Sequence, residues 1–308
     1  MRQHFLFILV VYVVVCQPKA PECHGVHSRH CLQIATFNVA YFPAGKDRLL
    51  PPADIAYRMR AMGDLWENQG FDVVGAQEVM DDPLYLQEFT QNYLKGKFAY
   101  VLGNSGPPEQ KVALFYRTDL IELKEAYDLD KETSFGIIDE REPHWSQNHR
   151  RPLYAVLKVR DTDFVFKIIV LHLKSGSQSE SCEIRHKQVS DLSHFLDYQD
   201  AADIVLGDFN DTLPGMGICV TKDTLALLEK KAKYEFLSWP GRSISPKSVS
   251  FLRRPYRSLI DHIYIARELL PFVVSLYSWK SEVINHQNEM ISDHQPVVMW
   301  LRLKDIPR

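Results

Sequence analysis

The sequence predicts a single α/β domain, and three observations lead to that fold class. Apolar runs of strand length recur from residue 32 to residue 303. Segments with apolar residues at helical spacing lie between several of these runs, and this alternation is typical of layered α/β folds. No long linker, internal repeat or low-complexity stretch divides residues 22 to 308, so one compact domain is expected.

The N-terminus predicts export. Arg2 precedes an apolar run from Phe5 to Cys16, and these 12 residues are too few to span a bilayer comfortably but suit a secretory signal. We therefore expect residues 1–20 to be a signal peptide, residues 21–308 to form the domain, and the protein to be secreted or periplasmic. A lipoprotein signal ending at Cys16 and an uncleaved anchor are the alternatives.

Eight strands are predicted from runs that are rich in β-branched and aromatic residues. In chain order they are Leu32 to Val39, Phe71 to Ala76, Val112 to Tyr116, Tyr154 to Val159, Phe164 to Leu173, Asp203 to Leu206, Leu259 to Ile265 and Pro296 to Leu303.

Two helices are predicted between these strands. Ile55 to Asn68 and Glu180 to Tyr198 both repeat apolar residues at helical spacing. The segments Gly103 to Gln110 and Ser238 to Ser250 are rich in Pro, Gly and Ser, so surface loops are expected there.

Composition and charge exclude some classes of protein. With 45% hydrophobic and 24% charged residues, the chain is not of the disordered type. The formal charge of −3 becomes −5 when Arg2 and Lys19 leave with the signal, since 34 basic residues then face 39 acidic ones. The chain is therefore no polycation, although a local basic cluster could still serve a phosphate-bearing substrate.

Four cysteines follow the predicted signal, and an even number suits disulfides in an oxidising compartment. Of the three possible pairings, Cys23 with Cys31 and Cys182 with Cys219 is favoured. Free or buried thiols are the alternative, and the spacing does not suit a zinc cluster.

The segment Val205-Leu-Gly-Asp208-Phe-Asn210 is the first sign of a functional site. Strand alternation places Asp208 and Asn210 on one side and turns Phe209 into the core. A carboxylate and a carboxamide would then enter one pocket together. An ordinary turn with an Asx hydrogen bond is the alternative.

Other polar residues follow or interrupt apolar strands in the same way. They are Asn38, Glu78, His172, Asp261, Asp293 and His294. Each has an ordinary explanation when it is taken alone, such as a turn, a solvated charge or a satisfied core histidine. Together they predict an active site at the strand ends. His144, His149 and His286 belong to no such motif and are expected at the surface.

In these motifs the chain resembles the endonuclease/exonuclease/phosphatase superfamily, which includes deoxyribonuclease I, abasic-site endonucleases, neutral sphingomyelinases and inositol-polyphosphate 5-phosphatases. The resemblance spans roughly residues 32 to 303. It rests on five motifs in the family order: Thr36-Phe-Asn38, Gln77-Glu78, His172-Leu-Lys174-Ser, Gly207-Asp208-Phe-Asn210, and Asp261 with Ser292-Asp293-His294. The resemblance implies a four-layer α/β sandwich of two packed mixed β-sheets flanked by helices.

The resemblance also implies a division of labour. Glu78 would bind Mg²⁺ or Mn²⁺, with Asn38 and Asp293 completing or orienting the metal shell. His294, held by Asp261, would be the general base that activates water.

The remaining site residues would handle the phosphate. His172 would act as a hydrogen-bond donor or general acid, while Asp208 and Asn210 would position water and phosphate oxygens, with Asp208 a possible contact to a second metal. Arg150 or Arg151 would bind phosphate through its planar guanidinium.

A nuclease that cleaves DNA or RNA phosphodiesters is the favoured function. Family members with a similar Gln77-Glu-Val-Met80-Asp string carry Arg where this chain has Met80, and methionine cannot probe a minor groove by hydrogen bonding, so duplex recognition is in doubt. A phosphodiesterase or phosphatase acting on a phospholipid or inositol phosphate, and a non-catalytic binding module, are the alternatives. We expect a monomer with no stable membrane anchor and no protein partner.

Overall fold

The structure, a computed structural model, describes residues 31–46, 49–146, 148–198, 201–212, 219, 224–231, 233–237, 249–252, 258–274, 282–283 and 290–303. Within them the strands are β1 (Cys31–Phe42), β2 (Val73–Val79), β3 (Phe98–Leu102), β4 (Lys111–Arg117), β5 (Ile121–Asp128), β6 (Leu153–Val159), β7 (Val165–His172), β8 (Ile204–Asp208), β9 (Tyr234–Phe236), β10 (Asp261–Ala266), β11 (Glu282–Val283) and β12 (Val297–Arg302).

The α-helices of the described residues are α1 (Pro52–Gln69), α2 (Pro83–Glu88), α3 (Ser179–Phe195) and α4 (Ala226–Glu229). A π-helical turn, Phe89–Tyr93, continues α2, and a 3₁₀ segment, Arg267–Phe272, follows β10. Both predicted helices are present as α1 and α3.

The strands form two six-stranded sheets. The first has the order β11-β12-β1-β2-β4-β3 and the second the order β5-β6-β7-β8-β10-β9. Apolar side chains of both sheets interleave between them, among them Ile34 and Leu114 from the first and Val170 and Leu206 from the second. Gly75 allows this close approach, because a Cβ there would lie 2.2 Å from Leu206 Cδ1.

Helices cover the two outer faces. Met59, Met62 and Trp66 of α1 pack on the first sheet, and Val189 and Leu192 of α3 pack on the second. This order of helix, sheet, sheet and helix is the predicted four-layer sandwich.

All eight predicted strands are present, with boundaries shifted by a few residues. The four strands that the sequence did not predict are β3, β5, β9 and β11, which are the two edge strands of each sheet. An edge strand pairs on one side only, and two of these strands have three residues or fewer, so their apolar pattern is weak.

The strand directions bring one edge of each sheet together. β1 runs parallel to β2, and β7 runs parallel to β8. Because Asn38 in the second half of β1 donates to Asp208 at the end of β8, the carboxyl ends of all four strands meet at one edge of the sandwich. β10 and β12 run antiparallel to their neighbours β8 and β1, so their amino ends lie at the same edge. Loops at this edge can therefore combine side chains from both sheets.

Cys182 and Cys219 form a disulfide, as predicted. Cys31 is disulfide-bonded as well, but its predicted partner, Cys23, lies outside the described residues, as does the predicted signal peptide. No helix in the described part of the chain is long and apolar enough to cross a bilayer.

Candidate active site

The polar residues predicted at strand ends converge at this edge of the sandwich. Those from the first sheet and its loops are Asn38, Glu78, Asp293 and His294, and those from the second are Arg150, His172, Asp208, Asn210 and Asp261. Both sheets are therefore needed to assemble the site.

Asp208 lies at the centre of the group. Its Oδ2 atom accepts a hydrogen bond from Asn38 Nδ2 at 3.0 Å, and it lies 3.7 Å from His172 Nε2 and 3.9 Å from His294 Nε2. Burial and the charge of Asp261 raise the pKa of Asp208 above its ordinary value. One imidazole from each sheet thus faces the same buried carboxylate.

Glu78 enters the site because β2 is distorted at its end. The pairing of β2 with β4 is irregular between Ala76 and Val79, and Glu78 has a left-handed backbone with φ 59°. Such a conformation costs a non-glycine residue about 1 kcal/mol. The turn places Glu78 Oε1 4.0 Å from His172 Nε2, and burial raises the pKa of Glu78, with Asp293 adding to the effect.

Asn38 contacts the neighbouring carboxylates through its amide nitrogen and not through its amide oxygen. Its Oδ1 atom accepts a hydrogen bond from Ala40 N at 3.0 Å, so its amide nitrogen is the atom that bonds Asp208 and Glu78. The Asn38 carbonyl accepts a hydrogen bond from Ser292 Oγ at 2.7 Å. This contact ties the end of β1 to the turn that carries Asp293 and His294.

His294 and Asp261 form a buried pair. Asp261 Oδ2 lies 2.8 Å from His294 Nδ1, and Asp261 is completely buried. Burial lowers the pKa of His294, but the carboxylates of Asp261, Asp208 and Asp293 together raise it above its ordinary value. With Nδ1 held by Asp261, the Nε2 atom is the one that faces Asp208.

His172 is buried and neutral. Burial, Arg150 and His294 all lower the pKa of His172 well below its ordinary value. A neutral imidazole suits the hydrogen-bond donor role better than the general-acid role, because giving up its one ring hydrogen would leave an imidazolate anion.

The structure separates the two candidate arginines. The Arg150 guanidinium is buried, donates to the carbonyls of His172 and Leu173, and lies close enough to Glu78 and Asp208 for their charges to act on it. Arg151 points instead toward Glu140, with 3.8 Å between Nη1 and Oε2.

The Gly-Asp-x-Asn segment combines the two alternatives of the sequence analysis. Asp208 Oδ1 accepts a hydrogen bond from Asn210 N at 2.8 Å, which is the Asx turn, while Oδ2 faces the histidines. β8 ends at Asp208, and Asn210 leaves strand geometry to donate to the Leu173 carbonyl. Gly207 is required because a Cβ there would lie 2.0 Å from the Leu171 carbonyl oxygen.

Arg58 supports the site from within α1, and the sequence did not single it out. Its guanidinium is buried and donates to five carbonyl groups, those of Val39, Ala40, Tyr41, Pro43 and Ile291. It therefore joins the segment that follows Asn38 to the segment that precedes Asp293. The sequence offers no signal for this role, because Arg58 lies within an ordinary helical pattern.

One histidine expected at the surface is buried. His144 Nε2 lies 2.7 Å from Asp191 Oδ2, and only 7% of His144 is exposed. That prediction was wrong because the loop between β5 and β6 folds back onto α3, where Asp191 also accepts a hydrogen bond from Trp145. His149 is partly buried, and His286 lies outside the described residues.

Within the described residues of this edge, two groups of side chains have the chemistry to bind a cation. Asp208, Asp261 and His294 offer ligand atoms within 4.8 Å of one another. Glu78 and Asp293 offer carboxylate oxygens alone, and only 15% of the Glu78 side chain is exposed to solvent that could stabilise its charge. Hard oxygen donors with excess negative charge fit Mg²⁺ or Mn²⁺, and this second group leaves both imidazoles available to the substrate.

Comparisons with known proteins support the same fold. A sequence profile described as the Endonuclease/Exonuclease/phosphatase family matches residues 35–294. No curated protein sequence matches the chain significantly.

Three solved structures illustrate the likeness in fold. An endonuclease/exonuclease/phosphatase from Bacteroides vulgatus has a TM-score of 0.61 at 18% identity, over 88% of this chain and 98% of that one. D. rerio TDP2, complexed with a single-strand DNA product, has a TM-score of 0.60 at 16% identity, over 88% and 98%. The Bacteroides thetaiotaomicron mannosyl-6-phosphatase has a TM-score of 0.57 at 18% identity, over 87% and 98%.

Proposed function

The chain belongs to the endonuclease/exonuclease/phosphatase family, and from this membership and the site geometry we propose that it is a divalent-metal-dependent phosphoester hydrolase. One observation carries the proposal. The Nε2 atoms of His172 and His294, which come from different sheets, lie 3.7 and 3.9 Å from the same oxygen of Asp208, with Glu78 beside them. A phosphoryl group bound there would lie near a proton acceptor, a hydrogen-bond donor and a metal ligand at the same time.

Glu78 and Asp293 are the proposed metal ligands, and Asn38 orients the Glu78 carboxylate by a hydrogen bond. When bound, Mg²⁺ or Mn²⁺ would neutralise phosphate charge, stabilise the leaving oxygen and counter the carboxylates that raise the pKa of His294.

His294 is the proposed general base. Asp261 accepts a hydrogen bond from Nδ1–H, so Nε2 is the ring atom that would take a proton from the attacking water. Asp261 also stabilises the imidazolium that results. Water attacks phosphorus directly in this scheme, so no covalent enzyme intermediate forms.

The other side chains bind and orient the phosphoryl group. Neutral His172 donates a hydrogen bond to a phosphoryl oxygen, and Asp208 and Asn210 position the water. Arg150 has five N–H groups, of which three bond His172, Leu173 and Gln110, so two remain for phosphate.

The proposed substrate is a phosphodiester of DNA or RNA. The structure of D. rerio TDP2 holds a single-strand DNA product, so a fold of this kind can accommodate DNA. Met80 is 1% exposed and packs in the core between α1 and the first sheet, so it cannot contact a duplex groove. This position therefore gives no support to duplex recognition, and single strands are the better candidates.

A phosphatase is the second candidate, because a mannosyl-6-phosphatase shares the fold and the same residues could serve a monoester. A membrane-lipid substrate has less support. Phe251, an aromatic residue that could have dipped into a membrane interface, packs against the His294 ring with 4.9 Å between ring centroids. Trp239 and Tyr256, the other two aromatic candidates, lie outside the described residues.

We further propose that the protein is secreted or periplasmic, with residues 1–20 as its signal peptide. The apolar run from Phe5 to Cys16 supports this, and so does the Cys182–Cys219 disulfide, since disulfides persist mainly in oxidising compartments.

Hydrolysis of a substrate panel tests the proposed function. Plasmid DNA, single-stranded DNA and RNA, sphingomyelin, inositol polyphosphates and mannose 6-phosphate are incubated with the protein in Mg²⁺ or in EDTA. We expect EDTA-sensitive cleavage of nucleic acid, strongest on single strands. Activity on a lipid or phosphomonoester alone overturns the substrate, and inactivity on the whole panel overturns the hydrolase and favours a binding module.

A further inference from the structure

Tyr41 and Glu78 lie close together at the end of the first sheet that carries the candidate site. Phe42 pairs with Val79 in the ladder of β1 and β2, where residues 39–41 bulge opposite Glu78 alone, and Glu78 lies close enough for its charge to act on the Tyr41 hydroxyl. Both have left-handed backbones, with φ 57° and 59°. The Tyr41 carbonyl is held by Arg58 Nη1 at 3.1 Å. The backbone that directs the Tyr41 side chain is therefore fixed beside the proposed metal ligand.

Gln110 links Tyr41 to Arg150. Its Nε2 atom donates to Tyr41 Oη at 2.8 Å, and its Oε1 atom accepts from Arg150 Nη1 at 3.0 Å. A guanidinium has donors only, so the amide oxygen must face Arg150 and the amide nitrogen must face Tyr41. The orientation of this amide, which is often ambiguous, is thus determined by its neighbour.

Tyr41 consequently accepts with its hydroxyl oxygen and keeps its hydroxyl hydrogen to donate. Among the residues that the structure describes, no acceptor receives that hydrogen. The side chain is partly exposed, and its phenol carries one O–H hydrogen that can be donated to a ligand.

The loop that presents Gln110 is held firmly. Lys111 Nζ donates to the carbonyls of Asn104 and Gly106 at 2.6 and 3.0 Å, and Ser105 N donates to Asp128 Oδ2 at 2.6 Å. The hydrogen bond from Gln110 to Tyr41 is therefore set before any ligand binds. A donor oriented in advance loses little entropy when it meets an anion.

We propose that Tyr41 is a substrate-binding residue whose hydroxyl donates to a non-bridging oxygen of the phosphoryl group, in a direction fixed by Gln110. This inference rests on the proposed function and deepens it. Tyr41 and the two remaining N–H groups of Arg150 then recognise the same anionic group, one on each side of Gln110.

The first test replaces Tyr41 by Phe, which removes the hydroxyl and keeps the ring. The probes are Mg²⁺-dependent hydrolysis of bis(p-nitrophenyl) phosphate and calorimetric binding of inorganic phosphate in Mg²⁺. We expect Tyr41→Phe to lower kcat/KM and to weaken phosphate binding by about tenfold each, because the lost hydrogen bond has a charged acceptor. The matched control is Tyr116→Phe. Tyr116 is partly buried and lies at the end of β4 that is farther from Gln110, so this variant should have the wild-type kcat/KM and phosphate affinity.

The second test replaces Gln110 by Glu. The new carboxylate still accepts from Arg150, but it also accepts the Tyr41 hydroxyl hydrogen and so withdraws it from the substrate. In the Gln110→Glu background, adding Tyr41→Phe should therefore change phosphate binding by less than about twofold. A tenfold loss of phosphate affinity in that background overturns the role of Gln110. If the hydroxyl had a purely structural role, Tyr41→Phe would instead lower the melting temperature of the protein.

The outcomes separate this inference from the proposed function. If the wild type hydrolyses the diester and Tyr41→Phe matches it in both assays, the inference is overturned and the function stands. If the wild type hydrolyses no phosphoester but binds phosphate through Tyr41, the function is overturned and the inference is supported. A wild type that binds no phosphate overturns the inference.

Discussion

His294 Nδ1 lies 2.8 Å from Asp261 Oδ2, and both side chains are buried at the edge where the two sheets meet. This contact fixes the tautomer that leaves Nε2 able to accept a proton. An Asn at position 261 can donate to Nδ1 and so move the ring hydrogen to Nε2. We predict that Asp261→Asn lowers kcat for phosphodiester hydrolysis by about 100-fold or more.

Asp191→Asn is the control for that prediction. Asp191 pairs with His144 at 2.7 Å, so the substitution is chemically the same, but this pair lies outside the site. Steady-state kinetics of both variants should show the loss in Asp261→Asn alone. Equal losses in the two variants would mean that the Asp261 contact only supports the fold.

Glu78→Gln should weaken metal binding. Glu78 is a largely buried carboxylate of the proposed metal site, and a neutral amide oxygen is a poorer ligand for a hard cation. Titration with Mn²⁺, followed by electron paramagnetic resonance, should show an affinity at least about tenfold lower than that of the wild type. Glu122→Gln, an exposed glutamate on β5, is the control. Unchanged Mn²⁺ affinity in Glu78→Gln would refute the assignment of this ligand.

Arg58→Ala should destabilise the protein. The guanidinium donates to five buried or partly buried carbonyls, and burial lowers the pKa of Arg58 to about 10, which still leaves it charged at neutral pH. Removing it takes a charged donor from all five carbonyls, of which the Tyr41 carbonyl keeps its hydrogen bond from Gly45 N, so we predict a loss of about 3 kcal/mol in the free energy of unfolding. Arg60→Ala, an exposed arginine of the same helix, should change it by less than about 0.5 kcal/mol.

Chemical denaturation of both arginine variants measures these losses. Similar midpoints for Arg58→Ala and Arg60→Ala would show that solvent replaces the guanidinium at little cost.

His149 should titrate below pH 6.5. Burial, with the charges of Arg150 and Lys174, lowers the pKa of His149 from its ordinary value of 6.5. The unfolded chain then binds more protons at this position, so His149 reduces stability as the pH falls through about 6.5. Imidazole NMR should give a midpoint below 6.5 that rises in Lys174→Met and stays unchanged in Lys124→Met, an exposed control. An unmoved midpoint in Lys174→Met would contradict this electrostatic account.

The interior of the fold could be predicted because buried strands carry long apolar runs. β1, β7 and β8 are buried along most of their length, and the sequence pattern identifies each of them. β5 was not identified, because it lies at an edge and its middle residues, including Glu122 and Lys124, are partly or fully exposed.

The candidate site was predictable where it rests on strand ends and unpredictable where it rests on tertiary contacts. Asp208 and His172 follow directly from the ends of β8 and β7. Arg58 contacts Ile291, which is 233 positions away, and Gln110 contacts Arg150, which is 40 positions away. Both lie within ordinary helix and loop patterns, so only the packed structure reveals what they hold.

The most direct test of the proposed chemistry is the hydrolysis of bis(p-nitrophenyl) phosphate by the wild type and by His294→Ala, with Mg²⁺ or EDTA. This small diester reports on the hydrolytic centre whatever the natural substrate is. We predict Mg²⁺-dependent hydrolysis that EDTA abolishes and that His294→Ala reduces by about 100-fold or more. Hydrolysis that persists in EDTA, or that survives His294→Ala unchanged, would contradict a metal-assisted attack by water that His294 activates.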